Sequence, residues 1–437
     1  MDIPLSWGGG SVTLKVPQEN VAGWIKPRTP RLMPPGEAIK KALDQPMGES
    51  LEDLSRGSKV CVLLEDDTRS EPHEEIIEQI CSRLRGAAEV RFMVCTGSHD
   101  PGTGGNLRIR QAAVKSSRRY HLKLKGVFIN DCFSEDFDYI GTTERGTRVL
   151  VNKAAAEAEL FVVGADMKNH YFAGYSNALK DFLPGICAYD SIEANHSLAL
   201  DIKSTFGQHP LHPDPSRREN PVAEDMLEAE RTICEDRPVF VLATISSHGS
   251  VAWCASGPLE EVTAAGIREV DRLTSFEVEQ VSHVVVSPGG YPQDDSLYNS
   301  QRALELTKNA ISDGGEALLL AECSRGIAPN EKAIDSFYRR LTKPIDEVLA
   351  EIGDKYVLYS HKAYKFAQLL KRLRTVSVYT KLDKRSLEMA HLKKAEDAQA
   401  VIDRWLTEDR NAKIMFFDDA NKIAVYSRGH APTGGTG

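Results

Sequence analysis

The chain has 437 residues, 41% hydrophobic and 27% charged, with a formal net charge of −9. That length predicts two or three domains with cores large enough to need no disulfide staples. The acidic balance excludes a nucleic-acid surface, which needs a clustered basic face, and no run of about twenty apolar residues offers a membrane span.

In chain order, the opening reads as a hairpin: IPLSW, a GGGS turn, then VTLKVP. The start MDIPLSWGGGSVTL has no charged segment followed by an apolar one, so no secretory signal is expected. SKVCVLLEDD predicts a buried strand, HEEIIEQICSRLRG a helix with a glycine stop, EVRFMVCTGSHD a strand, LRIRQAAVKSS a helix and AELFVVGADMKNH a strand. Residues 205–222, FGQHPLHPDPSRRENPVA, read as an irregular connection whose His209 and His212 face solvent. The helix EDMLEAERTICE and the strand PVFVLATIS follow.

From about residue 281 the rhythm restarts: strand SHVVVSPGG, helix LYNSQRALELTKNAI, strand EALLLAEC, helix EKAIDSFYRRLT, strand KYVLYS, helix YKFAQLLKRLR and strand TVSVYT. The tail RGHAPTGGTG reads as disordered. Alternating strands and helices predict an α/β protein with mostly parallel sheets. Two α/β domains are expected, residues 1–270 and 271–437, with an active-site cleft between them. The eight cysteines form no C-x-x-C pair and several lie in apolar strands. They predict buried free thiols and a cytoplasmic protein.

Open α/β sheets bind ligands beyond the carboxyl ends of their strands. Five such ends carry polar residues here: EDDTRS (65–70), TGSHDP (96–101), DMKNHYFAG (166–174), SPGGYPQDD (287–295) and ECSRG (322–326). Arg69 can hold a carboxylate bidentately, with Asp66 orienting it; the bland alternative is a surface ion pair. His99 and His170 both follow strands, and two bases on opposite sides of one carbon suit a racemase or epimerase. A lone histidine at a strand end more often caps backbone groups. Lys180, near the start of a short helix capped by Ser176 or Asn177, opposes the helix dipole, which an anionic or covalent partner would explain. Its bland alternative is a solvated lysine. His196 offers an imidazole to a metal, but no H-E-x-x-H or C-x-x-C surrounds it, so a zinc site built wholly by protein is poorly supported. GTGGN (102–106) is not G-x-G-x-x-G and no Walker lysine appears, so dinucleotide or ATP binding is not supported.

Taken together, DDTR, TGSHDP, NHYFAGYSNALKDFLPG, NHS, ENPVAEDM and SPGGYPQDDSLYNSQRA resemble the lactate racemase family, whose members use a nickel-pincer nucleotide. The resemblance runs from the first hairpin to about residue 320, and more thinly to the end. It implies that Lys180 tethers the cofactor covalently, that His196 ligates its nickel, and that Asp66 and Thr68 lie in the cofactor's binding set. His99 and His170 then match the acid/base pair and Arg69 the substrate-carboxylate arginine. The implied reaction inverts C2 of a 2-hydroxy acid: a histidine takes the hydroxyl proton while hydride passes to the cofactor and returns to the other face. Cofactor-biosynthesis proteins are the implied partners. One departure stands out. Where lactate-type members carry Gln and Lys three apart, this chain has Asn299 and Arg302, next to Tyr298. A changed substrate pocket follows, formed by these three, for a bulkier acid, a second carboxylate or a sugar acid. A zinc-dependent hydrolase and a non-catalytic binder of small acids are the competing readings.

Overall fold

The structure, a computed structural model, describes residues 1–69, 71–247 and 249–428. It divides into two compact units, residues 30–272 and residues 1–29 with 273–437.

The first unit is built on a six-stranded sheet in the order Ser250–Pro258, Val239–Ser247, Leu160–Asp166, Lys59–Glu65, Glu89–Cys95, Leu124–Ile129. All neighbours are parallel except the pair 239–247 and 250–258. The central strand Lys59–Glu65 is buried at every position but the first. Such an unbroken apolar run is what a parallel strand covered on both faces requires. The helix His73–Arg83 buries Ile76, Ile77, Ile80 and Cys81, spaced to form one face, and that face joins Val60, Val62 and Leu64 in one core. The chain runs from 59–65 outward to 89–95 and 124–129, then returns to lay Leu160–Asp166 on the other side of 59–65. This reversal creates a switch point, where adjacent strand ends splay apart and leave a crevice.

The second unit has a wholly parallel six-stranded sheet: Lys393–Ala395, Thr375–Tyr379, Ile311–Leu320, Val281–Val286, Ile414–Phe417, Val21–Ile25. Its edge strand comes from the N-terminus. The expected domain 1–270 is therefore corrected: residues 1–29 belong with 273–437. The reason is pairing and burial. Val21–Ile25 hydrogen-bonds to Ile414–Phe417, and the hairpin Asp2–Trp7/Gly10–Lys15 sinks Ile3, Leu5 and Leu14 into a core with Val285, Leu318, Trp405 and Phe416.

The expected strand KYVLYS is a turn between the helices Ile345–Asp354 and His361–Arg372. Tyr359 at φ 76° breaks any extended run, the Ser360 hydroxyl donates to Val357 O at 2.6 Å, and Leu358 supplies the buried side chain that mimicked a strand. All eight cysteines are free, and only Cys254 is not fully buried. Among the described residues no helix is long and apolar enough to cross a membrane. Residues 429–437 of the expected disordered tail lie outside the described residues.

Candidate active site

Three loops from the switch-point side of the first sheet bring the predicted residues into place. The first follows Lys59–Glu65. Asp66 is buried; its Oδ1 accepts from Thr68 Oγ1 at 2.6 Å and from Thr68 N at 3.2 Å. Its Oδ2 lies 2.6 Å from His99 Nδ1. Burial alone would raise the Asp66 carboxyl, but the bonds from His99 and Thr68 outweigh it and hold it below the ordinary range. The carboxylate can only accept, so His99 Nδ1 carries the proton and Nε2 is left as a base. Sequence reasoning gave Asp66 to Arg69. The side-chain ion pair of Arg69 is instead with Glu65, at 3.5 Å. Arg69 keeps its charge despite burial because Glu65, Asp66, Asp166 and Asp181 surround it. Burial foremost pushes Glu65 up to about 7.

The second loop follows Glu89–Cys95 and delivers His99, whose side chain is 41% exposed. Gly97 has φ 54°, and a Cβ there would stand 3.2 Å from the Pro184 ring. Its N–H donates to Gly185 O at 3.1 Å. The TGSH turn is thus fastened to the end of the segment that carries Lys180.

The third loop follows Leu160–Asp166. Lys168–His170 pairs with Gly174–Ser176 as a small hairpin. Gly174 has φ 75°, and a Cβ would fall 1.8 Å from Gln208 O, so only glycine fits. The Ala173 N–H donates to His170 Nδ1 at 3.2 Å. The ring proton therefore sits on Nε2, which faces Lys180 Nζ at 2.9 Å. Lys180 is buried in the short helix Leu179–Phe182, whose Leu179 N–H is capped by Asn177 Oδ1 at 2.9 Å.

His196 lies on the helix Tyr189–Ser197 and is buried. Its Nδ1–H donates to Asn195 Oδ1 at 3.1 Å, which makes Nε2 the acceptor nitrogen. Burial first of all drives its pKa down to about 3, so the ring is neutral at any ordinary pH, the state a metal ligand must have. Phe172 bridges the histidines, with ring centroids 4.5 Å from His170 and 5.3 Å from His196. Asn195 is held in turn, Nδ2 donating to Asp225 Oδ2 at 2.8 Å, and Thr147 Oγ1 donates to the same oxygen at 2.8 Å. Among the described residues no group of three or more His, Cys, Asp and Glu side chains is arranged to hold a metal ion. A three-ligand zinc centre of the hydrolase kind has no counterpart there.

His209 and His212, expected in solvent, are buried. His209 Nε2 lies 3.0 Å from Asn177 Nδ2. His212 Nε2 reaches Asp271 at 3.3 Å, and Arg217 and the Tyr175 hydroxyl bond the same carboxylate at 2.6 and 2.7 Å. The proline-rich loop is a brace beneath the Lys180 segment, anchored by an aspartate on the distant helix Leu259–Thr274. Asn220, missed by sequence reading, donates to Phe172 O, Thr205 O and Gln208 O at 2.9 to 3.1 Å and caps the next helix. The capping pattern ENPVAED was its available signal.

In the other unit, Tyr298, Asn299 and Arg302 lie on the helix Leu297–Thr307. Asn299 Nδ2 donates to Asp295 Oδ1 at 2.8 Å. Tyr298 meets Phe337 edge-on, centroids 5.5 Å apart.

Residues 7–207 match the family model of the lactate racemase N-terminal domain. The chain is 27% identical to the lactate racemase of Thermoanaerobacterium thermosaccharolyticum over 334 residues, covering 74% of this chain and 75% of that protein. It is 24% identical to the lactate racemase of Lactiplantibacillus plantarum over 443 residues, covering 97% and 99%. The lactate racemase apoprotein structure from T. thermosaccharolyticum superposes with a TM-score of 0.84 at 24% identity, covering 97% of this chain and 100% of that one. A Thermotoga maritima protein of known structure superposes with a TM-score of 0.62 at 15% identity, covering 91% and 100%.

Proposed function

The chain belongs to the lactate racemase family, a family of isomerases, and from that premise we propose that it inverts C2 of a 2-hydroxy acid with the help of a nickel-pincer nucleotide. The observation that carries this reading is the contact of Lys180 Nζ with His170 Nε2 at 2.9 Å, beside a His196 ring kept neutral by burial. The residues fit the cofactor. Lys180 offers a buried amine to tether it, and His196 offers one imidazole to nickel, leaving the remaining donors to the organic part. Asp66 and Thr68 complete the proposed set on that side. When bound, the group supplies a hydride acceptor and donor.

The protein's own part is proton handling and orientation. His99, with Nδ1–H fixed on Asp66, presents Nε2 to take the 2-hydroxyl proton of one enantiomer. His170 presents Nε2–H to the oxygen from its own side, and the roles exchange for the reverse direction. Arg69 clamps the 2-carboxylate, with Glu65 as its counter-ion. The departure of Asn299 and Arg302 from the lactate-type pattern points to an acid larger than lactate.

Protein produced together with the cofactor-building enzymes is expected to show a covalent mass increase that is absent in Lys180→Ala. An unchanged adduct in that variant refutes the tether. Loss of inversion in both His99→Ala and His170→Ala is the companion result, and full activity in either removes the paired-histidine mechanism.

A further inference from the structure

Asp225, on the helix Pro221–Cys234, is buried and takes no part in the proton handling above. Its carboxyl oxygens serve three donors. Thr143 Oγ1 donates to Oδ1 at 2.5 Å, and Thr147 Oγ1 and Asn195 Nδ2 donate to Oδ2, each at 2.8 Å. Thr143 Oγ1 itself accepts from Thr147 N at 3.1 Å, so its own hydrogen is left for Asp225. The turn between the strands Phe137–Thr142 and Arg148–Asn152 and the helix Tyr189–Ser197 are thus fastened to one carboxyl group, in the segment ENPVAEDM. Asn195 is the informative partner. Its Nδ2 also donates to Val222 O at 3.1 Å, and Val222 stands three residues before Asp225 on the same helix. Turning that amide over would set its oxygen against two acceptors, so Oδ1 is held facing His196. It lies 3.1 Å from His196 Nδ1, which places the ring proton on Nδ1 and the lone pair on Nε2. The same helix start steadies the ring itself. Asn220 Nδ2 donates to Phe172 O at 2.9 Å, and the Phe172 ring meets the His196 ring edge-on, centroids 5.3 Å apart.

We propose that Asp225 is a positioning residue for the nickel site: acting through Asn195, it dictates which nitrogen of His196 is protonated and so reserves Nε2 for the metal. This rests on the assignment of His196 to nickel made above. A ligating histidine commonly gives its other N–H to an outer partner that fixes the ring's orientation and tautomer. Here that partner is an amide, and the carboxyl group stands one hydrogen bond further out. An amide alone could face Nδ1 with either end, since its oxygen and nitrogen are nearly the same shape. Asp225 removes that choice.

The test follows nickel per covalent adduct during challenge with excess EDTA, in cofactor-loaded wild type, Asp225→Ser, Asp225→Asn and Asn195→Leu. Asp225→Ser, shorter by one bond, and Asn195→Leu should lose nickel roughly 10- to 100-fold faster than wild type, the usual worth of an outer partner, with the adduct mass unchanged. Asp225→Asn keeps an acceptor oxygen for Asn195 and should stay within about threefold of wild type. A second readout needs no cofactor. In apo protein carrying nitrogen-15 histidine, the His196 ring, identified by its loss in His196→Gln, should show the Nδ1–H tautomer, and Asp225→Ser and Asn195→Leu should shift it toward Nε2–H. Wild-type nickel retention in Asp225→Ser overturns the inference, as does a wild-type ring protonated at Nε2. So does a variant that loses adduct and nickel together, the mark of a general collapse of the site. Should Asp225→Ser fail to fold, Asn195→Leu and the wild-type tautomer decide by the same criteria. Wild type that acquires no adduct or no nickel falls on the parent reading and takes this one with it, whereas wild type that holds nickel no better than Asp225→Ser falls on this inference alone.

Discussion

The turn after Glu89–Cys95 and the hairpin after Leu160–Asp166 each deliver a histidine, and they prepare it in opposite ways. His99 is bound by a buried carboxylate at Nδ1 and shows solvent an acceptor nitrogen. His170 is bound by a backbone N–H at Nδ1 and turns a donor nitrogen toward an amine. Two identical side chains thus rest with opposite nitrogens protonated, set by the single atom that faces Nδ1, and that asymmetry is what the proposed two-sided proton exchange calls for.

The sharpest way to break this comparison is Asp66→Asn. The amide can donate to Nδ1 and invert the His99 tautomer, so inversion should fall about 10³-fold or more from either enantiomer, with the fold intact by circular dichroism. An Asp66→Asn enzyme of near-normal rate would show that the carboxylate does not set the tautomer. On the other arm, Gly174→Ala forces a Cβ against Gln208 O at a positive φ. It should cost at least about 2 kcal/mol, visible as a lower melting temperature, and should remove the His170–Lys180 contact.

A smaller effect comes from pH. His209 sits in the brace under the His170 arm, and burial lowers its pKa to about 3. Its unfolded value is near 6.5. Between these the unfolded chain binds a proton that the folded chain refuses, so stability falls as pH drops from about 6.5 toward 3. Replacing His209 with Asn should flatten that part of the melting-temperature profile; an unchanged slope would place the acid sensitivity elsewhere. The least effect is expected from Thr68→Val, which removes one bond to Asp66. A loss of roughly 0.5–1.5 kcal/mol in transition-state stabilisation, or several-fold in kcat/KM, is anticipated.

Much of the fold and of the site was legible because its signals are local. Apolar runs such as VCVLL mark buried strands, and the polar residues just beyond them fall at strand ends by construction. His99 and His170 were picked out that way as candidates, and the structure sets them against Asp66 and Lys180. What the sequence hid is non-local. Val21–Ile25 pairs with Ile414–Phe417, at the other end of the chain, and nothing in VAGWI names its partner. His209 and His212 look solvated among prolines because the aspartate that buries His212 lies on a later helix. Asp66 looked like the partner of Arg69 because both share one tetrapeptide, whereas its bond goes to a histidine from another strand. KYVLYS failed for the opposite reason: alternating apolar residues also suit a turn wedged between two helices.

The bond from Gly97 N–H to Gly185 O, 3.1 Å long, joins the loop of the base to the loop of the amine. Mechanically the two arms share a hinge pin. Substitutions at Pro184 or Gly185 are therefore expected to disturb the proposed anchoring and the proposed proton transfer together, and a phenotype there reports on neither alone. Variants meant to separate those duties belong at the far ends of the arms, on Asp66 for one and at the Gln208 contact for the other.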